Sequence, residues 1–265
     1  MDTVKLYLRS MKMLMRCQME YPVSFLLNTL SQLVMMGGEL MAVLLLVDRF
    51  QQVGRWSGSH ILFFFGLMTI TFYLMECFAR GITTFGPIVQ SGSLDTMLLR
   101  PRGVLTQVCC HAVDPRRIGC IAIGAAALFV GSRESQVLWT WKKVVVLLES
   151  MAGGSLLITA LFLIQAVTCM HSIKSVEMVN VFTYGGRSTC QYPIDIYPGP
   201  LKIMFTVVAP FALTMHVPAA YILDMPILNL PAWSAFLTPL SGLVSFLIMY
   251  RVFQHGLKYY RSTGS

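Results

Sequence analysis

Six stretches of this chain are apolar over lengths that make sense in only one solvent. A hydrocarbon core about 30 Å thick takes about 20 helical residues to cross, at 1.5 Å of rise each. Residues 25–47, 61–79, 144–170, 201–223 and 233–253 meet that length. A sixth stretch, 118–130, is short and rich in Gly and Ala, and spans only if its ends extend into the headgroups. The rest of the composition agrees: 55% of the 265 residues are hydrophobic and 12% are charged, where soluble domains carry about 25% charged. A soluble enzyme is excluded. The predicted fold class is an all-α polytopic membrane protein with six transmembrane helices.

Lys and Arg number 20 against 12 Asp and Glu, a net charge of +8. In a membrane protein such an excess sets orientation, because basic residues are retained on the cytoplasmic side. With the N-terminus inside, fifteen basic residues fall on inner segments: Lys5, Arg9, Lys12 and Arg16; Arg80, Arg100, Arg102, Arg116 and Arg117; Lys174, Arg187 and Lys202; Arg251, Lys258 and Arg261. Arg49, Arg55, Arg133, Lys142 and Lys143 fall outside. This predicts an N-in/C-in topology in a cell (cytoplasmic) membrane, with residues 256–265 as a cytoplasmic tail, and it supports the short third span. The charge then needs no nucleic acid partner. None of the seven cysteines falls in an outer loop, where oxidation is favoured, and no C-x-x-C pair suggests a metal site. At the N-terminus, Val4, Tyr7, Leu8, Met11, Leu14 and Met15 follow helical spacing with basic residues between them. Residues 1–22 therefore read as an amphipathic helix lying on an anionic leaflet, ended by Pro22.

The chain carries no phosphate-loop motif, no Gly-x-Ser-x-Gly and no His-Glu-x-x-His, so it has no ATPase or hydrolase site of its own. The candidates for chemistry are polar residues inside spans. Glu39, Glu76 and Glu149 are the carboxylates there, and an ionised group at mid-bilayer costs about 2.5–3.5 kcal/mol on insertion scales unless it faces protein or water. Asn28, Gln32 and Glu39, separated by 4 and 7 residues, share one helical face. That stripe lines a substrate path or lies in a helix–helix or subunit contact, with Gly37 and Gly38 admitting a close neighbour. Glu76 and Glu149 sit near span ends, within snorkelling reach of the interface.

The longest inner loop holds Gly92-Ser93-Leu94-Asp95-Thr96-Met97-Leu98-Leu99-Arg100-Pro101. Ser93 is placed to cap a short helix, Asp95 to favour its positive end and Pro101 to stop it. Leu94, Met97 and Leu98 form an apolar face that asks for a protein partner or packs back under the bundle. Further on, Tyr192 and Tyr197 stand beside prolines in a rigid interfacial segment feeding the fifth span. Pro210, Pro218, Pro226 and Pro231 break any straight helix, which predicts short outer-leaflet helices before the last span.

Residues Gly92 to Pro101, Gln191-Tyr192-Pro193 with Tyr197-Pro198, Ala209-Pro210-Phe211-Ala212 with Pro218-Ala219, and the terminal run Gly256 to Ser265 together resemble the six-span type-2 ABC transporter permeases. The resemblance extends from the basic N-terminal helix to the last residue. It implies an exporter's membrane subunit that pairs with a second permease copy, or a paralogous permease, and with two copies of a separate ABC ATPase. ATP and Mg would then be held by that partner, with no cofactor in this chain. Gly92, Leu94, Asp95, Met97, Leu98, Arg100 and Pro101 match the short cytoplasmic coupling helix that docks on the ATPase. The stretch Gln107 to Arg117 departs from the family pattern, being shorter and more polar. Two other classes fit the composition: a non-transporting scaffold or sensor, needing only the apolar inner helix, and a secondary transporter coupled to ions through Glu39. The latter calls for internal repeats, and residues 1–130 and 131–265 show no such similarity.

Overall fold

The computed structural model describes residues 3–50, 52–171, 176–227 and 230–260. Lys174 and the end of the predicted tail, 261–265, lie outside the described residues. The basic amphipathic segment forms helix α1 (Thr3–Met19), and α2 (Pro22–Phe50) opens on Pro22, whose missing N–H costs nothing at a first helical position. A two-residue-strand hairpin, β1 (Gln52–Val53) against β2 (Trp56–Ser57), turns the chain through Gly54 into α3 (Gly58–Thr83). Three short helices follow: α4 (Phe85–Gln90), α5 (Ser93–Leu98) and α6 (Val104–His111). Then come α7 (Ile118–Glu134) and α8 (Trp141–His171).

Four helical stretches are long and apolar enough to cross a membrane: Pro22–Arg49, Gly58–Gln90, Trp141–Met170 and Ser234–Lys258. They agree with four of the predicted spans. The third predicted span is α7, whose 17 residues cover about 25 Å. Apolar character alone does not decide where each helix sits. The α3 span is 89% buried in the bundle, while the α2 and last spans are 11% and 17% buried. α3 is thus the central post, carrying Phe63, Phe64, Phe65 and Phe72 into the core. Large faces of the peripheral helices are left for lipid or another chain.

The stretch predicted as a straight fifth span is bent. Helices α11 (Gly199–Val208) and α12 (Ala212–Ile222) meet at 86° around Pro210. Their outer ends lie together. Just before α11, Tyr192, Ile196 and Tyr197 share a 580 Å³ cavity with Gln52, Val53 and Gly54 of the α2–α3 hairpin. Just after α12, the Asp224 carboxylate accepts a 2.7 Å hydrogen bond from Lys143 at the start of α8. His216 on α12 accepts a hydrogen bond from the Ile194 N–H, stacks on Phe64 and meets the edge of Trp56 beside that same hairpin. The pair is therefore a hairpin that dips into the bundle and returns to the end from which it started. The polar stretch ahead of it, expected as an inner loop, packs along the bundle in its described part, from α8 to the hairpin. α9 (Val176–Asn180) lies beside α8, with Gln165 donating to Asn180; α10 (Tyr184–Cys190) packs on the middle of α3, and Ile194 reaches the hairpin end. The prolines do produce short helices before the last span, as expected: α12 is followed by α13 (Ser234–Leu237) and then α14 (Leu240–Lys258). α14 runs along α8, with Phe253 against Phe85, so its C-terminus lies at the same end as α5.

Candidate functional site

α2 touches the bundle along one stripe, through Met36 and Val43, and exposes most of its remaining surface. Gln32 and Glu39 flank that stripe and reach inward; Asn28 does not join them. The Asn28 side chain donates to the Ser24 carbonyl one turn back at 2.8 Å and stays on the exposed side of α2. The three residues share one face of α2, but only Gln32 and Glu39 meet partners from other elements, while Asn28 is exposed and turns back onto its own helix.

Opposite Gln32 and Glu39 stand groups from three other parts of the chain. α3 contributes Phe72, Tyr73, Glu76 and Arg80; the single 3₁₀ turn Pro115–Arg117 contributes Arg117; α10 contributes Tyr184 and Arg187. Together with Met35 and Met36 they enclose a cavity of about 290 Å³. Arg187 donates to Glu39 at 2.5 Å and lies 4.9 Å over the Phe72 ring and 5.1 Å over Tyr73. Gln191 adds a longer 3.5 Å contact to the same Glu39 oxygen. Arg117 donates to the Gln32 side-chain oxygen at 2.6 Å and lies 5.5 Å over the other side of the Tyr73 environment. Its Nε stands 3.0 Å from Glu76, without the alignment of a hydrogen bond. Behind this wall, Asp114 receives two hydrogen bonds from Arg116, at 2.6 and 3.2 Å, and lies within 3.5 Å of Arg80 and Arg117.

Four guanidinium groups and three carboxylates thus interlock. Glu76 and Asp114 are each 3% exposed, and Arg117 and Arg187 are each 9% exposed. Buried charge on this scale persists only when it is paired and hydrogen-bonded. Glu76, expected to snorkel at a span end, is instead held inside by Arg80 and Arg117. Arg117 and Arg187, read from sequence as inner-side charges, are site residues. The available clue was Glu39 itself, since an intramembrane carboxylate needs a cation facing it.

The predicted coupling element forms α5, with a different cap. Gly92, in the left-handed region at φ 67°, occupies the N-cap position, and Ser93 hydrogen-bonds Ser91 rather than capping the helix. Leu94 and Met97, expected on a face awaiting a partner, are buried in this chain at 0% and 6% exposure. What remains open is Leu98, at 40%, and Leu99, at 87%, followed by exposed Arg100 and Pro101. Asp95 faces the C-terminal segment, where burial and the Asp95 carboxylate raise the Tyr260 phenol.

This element is joined to the ionic cavity by short steps. Gln107 on α6 donates to the carbonyls of Met97 and Arg102, at 2.9 and 3.1 Å, and fixes the turn after α5. α6 lies so close to α3 that a Cβ at Gly81 would collide with the Val108 carbonyl. The Asp114 N–H then donates to the Cys77 carbonyl, next to Glu76 and about one turn from Arg80.

Among the described residues no group of His, Cys, Asp and Glu could hold a metal ion, and all seven cysteines are free thiols. No curated protein and no solved structure matches the chain. The sequence model of the ABC-2 family of transporter proteins, however, matches residues 33–264. That range takes in every cavity residue except Gln32, and the whole of α5 and α6. The chain is a membrane protein of the ABC-2 transporter family.

Proposed function

We propose that this chain is the permease of an ATP-driven exporter, with both termini cytoplasmic and six crossings of the cell membrane. The crossings are α2, α3, α7, α8, the broken α9–α10 segment and α14. Residues 176–196 provide about 30 Å at helical rise, and α11–α12 re-enter from the outer side. This assignment moves Lys202 outside and Arg187 into the membrane, and leaves the basic groups of α1 and of 80–117 inside. ATP and Mg belong to a separate ABC ATPase, which docks on Leu98, Leu99, Arg100 and Pro101.

One observation carries this reading: the exposed coupling element and the ionic cavity are parts of one linkage. Force applied at Leu98–Leu99 passes through Gln107 and the α6–Gly81 contact to Asp114, Arg117 and the inner end of α3. The cavity runs from that end toward mid-membrane, at Phe72 and Glu39. Closure of the ATPases would then shift the charges that hold α2 to α10. A second permease copy covers the open face of α2. The Glu39 side chain, 43% exposed, and the exposed Asn28 lie on that helix, and hydrocarbon satisfies neither. Gly37 and Gly38 have open space beside them for a close neighbour.

Co-expression with a phosphate-loop ATPase tests the assignment. Leu98→Asp with Leu99→Asp should abolish co-purification of the ATPase and its permease-dependent ATP turnover, while membrane insertion is retained. Unchanged co-purification would refute the docking site. Leu94→Asp is a poor probe, since burying a carboxylate at a fully enclosed position unfolds the element before it uncouples anything.

A further inference from the structure

The charge left over in the ionic cavity is of one sign. Its lining carries three guanidiniums, on Arg80, Arg117 and Arg187, against two carboxylates, on Glu39 and Glu76. The nearest further carboxylate, Asp114, stands behind the wall and is engaged by Arg116. A guanidinium has five N–H donors and no acceptor. Arg187 spends Nη2 on Glu39 and on the Met36 sulfur, and its buried Nε has no partner. The Arg117 Nε likewise has no aligned acceptor. Glu39 taken alone points to a cation or an amphiphile; in the folded chain its charge is met by Arg187.

The other half of the lining is apolar or aromatic: Met35, Met36, Phe72, Tyr73 and Tyr184. Met35 is 70% exposed on the α2 face, so the cavity opens sideways along apolar α2 surface as well as toward the inner end. A volume of about 290 Å³ is about ten waters at their liquid volume. That is room for one tetrahedral oxyanion and the first few carbons of a chain, with the remainder of the chain lying along α2.

We infer that the cavity is a headgroup site for an anionic amphiphile, whose oxyanion is received by Arg187 and Arg117 while its chain leaves past Met35. This inference deepens the permease reading by naming its substrate class. It also assigns Glu39 a role. Glu39 is the one lining carboxylate with substantial solvent exposure, so it is the group an incoming oxyanion displaces from Arg187. Loading the site would release α2 from α10.

The test is direct binding to the purified full-length chain by titration calorimetry, with octyl phosphate, octyltrimethylammonium and inorganic phosphate as probes. Octyl phosphate should bind and octyltrimethylammonium should not. Inorganic phosphate should bind about sixty-fold more weakly, since three buried methylenes each contribute about a factor of four. Arg187→Gln should weaken octyl phosphate binding at least tenfold, the scale of one charge-assisted hydrogen bond, and Glu39→Gln should tighten it by removing the competitor. Met35→Glu and Met35→Lys, on the exposed rim and outside the ionic network, should weaken and strengthen binding respectively, and they keep the test decisive if Arg187→Gln does not fold. Equal or tighter binding of the cation, unaltered affinity in Arg187→Gln, equal binding of inorganic phosphate, or no charge-dependent difference between the Met35 variants would overturn the assignment. These measurements need no ATPase, so their failure leaves the permease reading standing. Loss of the ATPase complex would strike that reading without touching this one.

Discussion

The Glu39–Arg187 pair should respond asymmetrically to the loss of each partner, because its two members differ in burial. The Arg187 side chain is 11% exposed and that of Glu39 is 43% exposed. At about 4 Å between charge centres and an effective dielectric of 20, the gross attraction is about 4 kcal/mol, and desolvation of the guanidinium offsets part of it. In Glu39→Met, Arg187 keeps its positive charge in a buried site with only the faces of Phe72 and Tyr73 to receive it. Stranding a buried charge costs about 3–5 kcal/mol, and the cation–π contact, present with or without Glu39, cancels, so a loss of about 3–5 kcal/mol is expected. In Arg187→Met the orphan is Glu39, which the bundle does not enclose and which turns into the open mouth of the cavity. The expected loss is about 1 kcal/mol, the worth of a partly exposed pair. The double variant removes the stranded charge along with its partner and should be more stable than Glu39→Met alone. Reversible unfolding in mixed micelles, titrated with sodium dodecyl sulfate, reads all three values. If the double variant is less stable than Glu39→Met, or if Arg187→Met is the costlier single change, the burial argument is wrong and the pair is held by something other than charge.

Three further outcomes can be checked. Gly81→Ala drives a methyl into the Val108 carbonyl; parting α3 from α6 should cost about 1–3 kcal/mol in the same unfolding assay and lower ATP turnover more than ATPase binding, whereas a neutral effect would break the proposed linkage. Cysteines placed singly at Gly199 and at Asp224, in a background lacking native thiols, should both react with an impermeant maleimide from the outer side; labelling from opposite sides would make 201–223 a straight crossing after all. Among the native thiols, burial pushes Cys109 up to about 12 and also raises Cys110, while Cys17 is exposed. A raised value means the neutral thiol persists through neutral pH and the thiolate forms only in strong alkali. At pH 7–8 maleimide should therefore modify Cys17 and spare Cys109, and fast modification of Cys109 would contradict its burial.

The parts of the fold legible in the sequence are those that are apolar over most of their length. α2, α3, α8 and the last span are of this kind, with α2 and α3 interrupted where they line the ionic cavity, so a run of about twenty apolar residues located each of them. The α1–α2 junction was legible for a different reason: Pro22 lacks the N–H an interior helical residue needs, and amphipathic spacing stops just before it. Burial was not legible. α2 and α3 have similar composition, but one is nearly covered and the other nearly bare, a difference set by which neighbours arrive from elsewhere in the chain. The segment read as a coupling element does form a helix with Leu98 exposed, while Leu94 and Met97 proved to be core, because a six-residue helix resting on α6 has one face for its own bundle and little left for a partner.

Hydropathy passes over a segment built around polar groups even where it packs into the bundle. Gly185-Gly186-Arg187-Ser188-Thr189 is too polar to be read as a span, but most of its polar side-chain groups find partners in this chain. Arg187 meets Glu39 and two aromatic faces, Thr189 donates to the Gly185 carbonyl, and Ser188 to that of Tyr184. Gly186 lies against the Phe211 ring, so the segment packs on the re-entrant hairpin rather than facing lipid. Apolar length alone does not show the 86° bend at Pro210, which leaves Ile203, Val207 and Val208 of α11 exposed while α12 is buried. α10 and α2 depend on each other: α10 buries an arginine because α2 brings a carboxylate to it. The same dependence makes the site movable. A crossing held by lipid would be indifferent to Glu39, whereas one held by an ion pair loosens whenever a competing anion or a shift of α3 takes that pair apart.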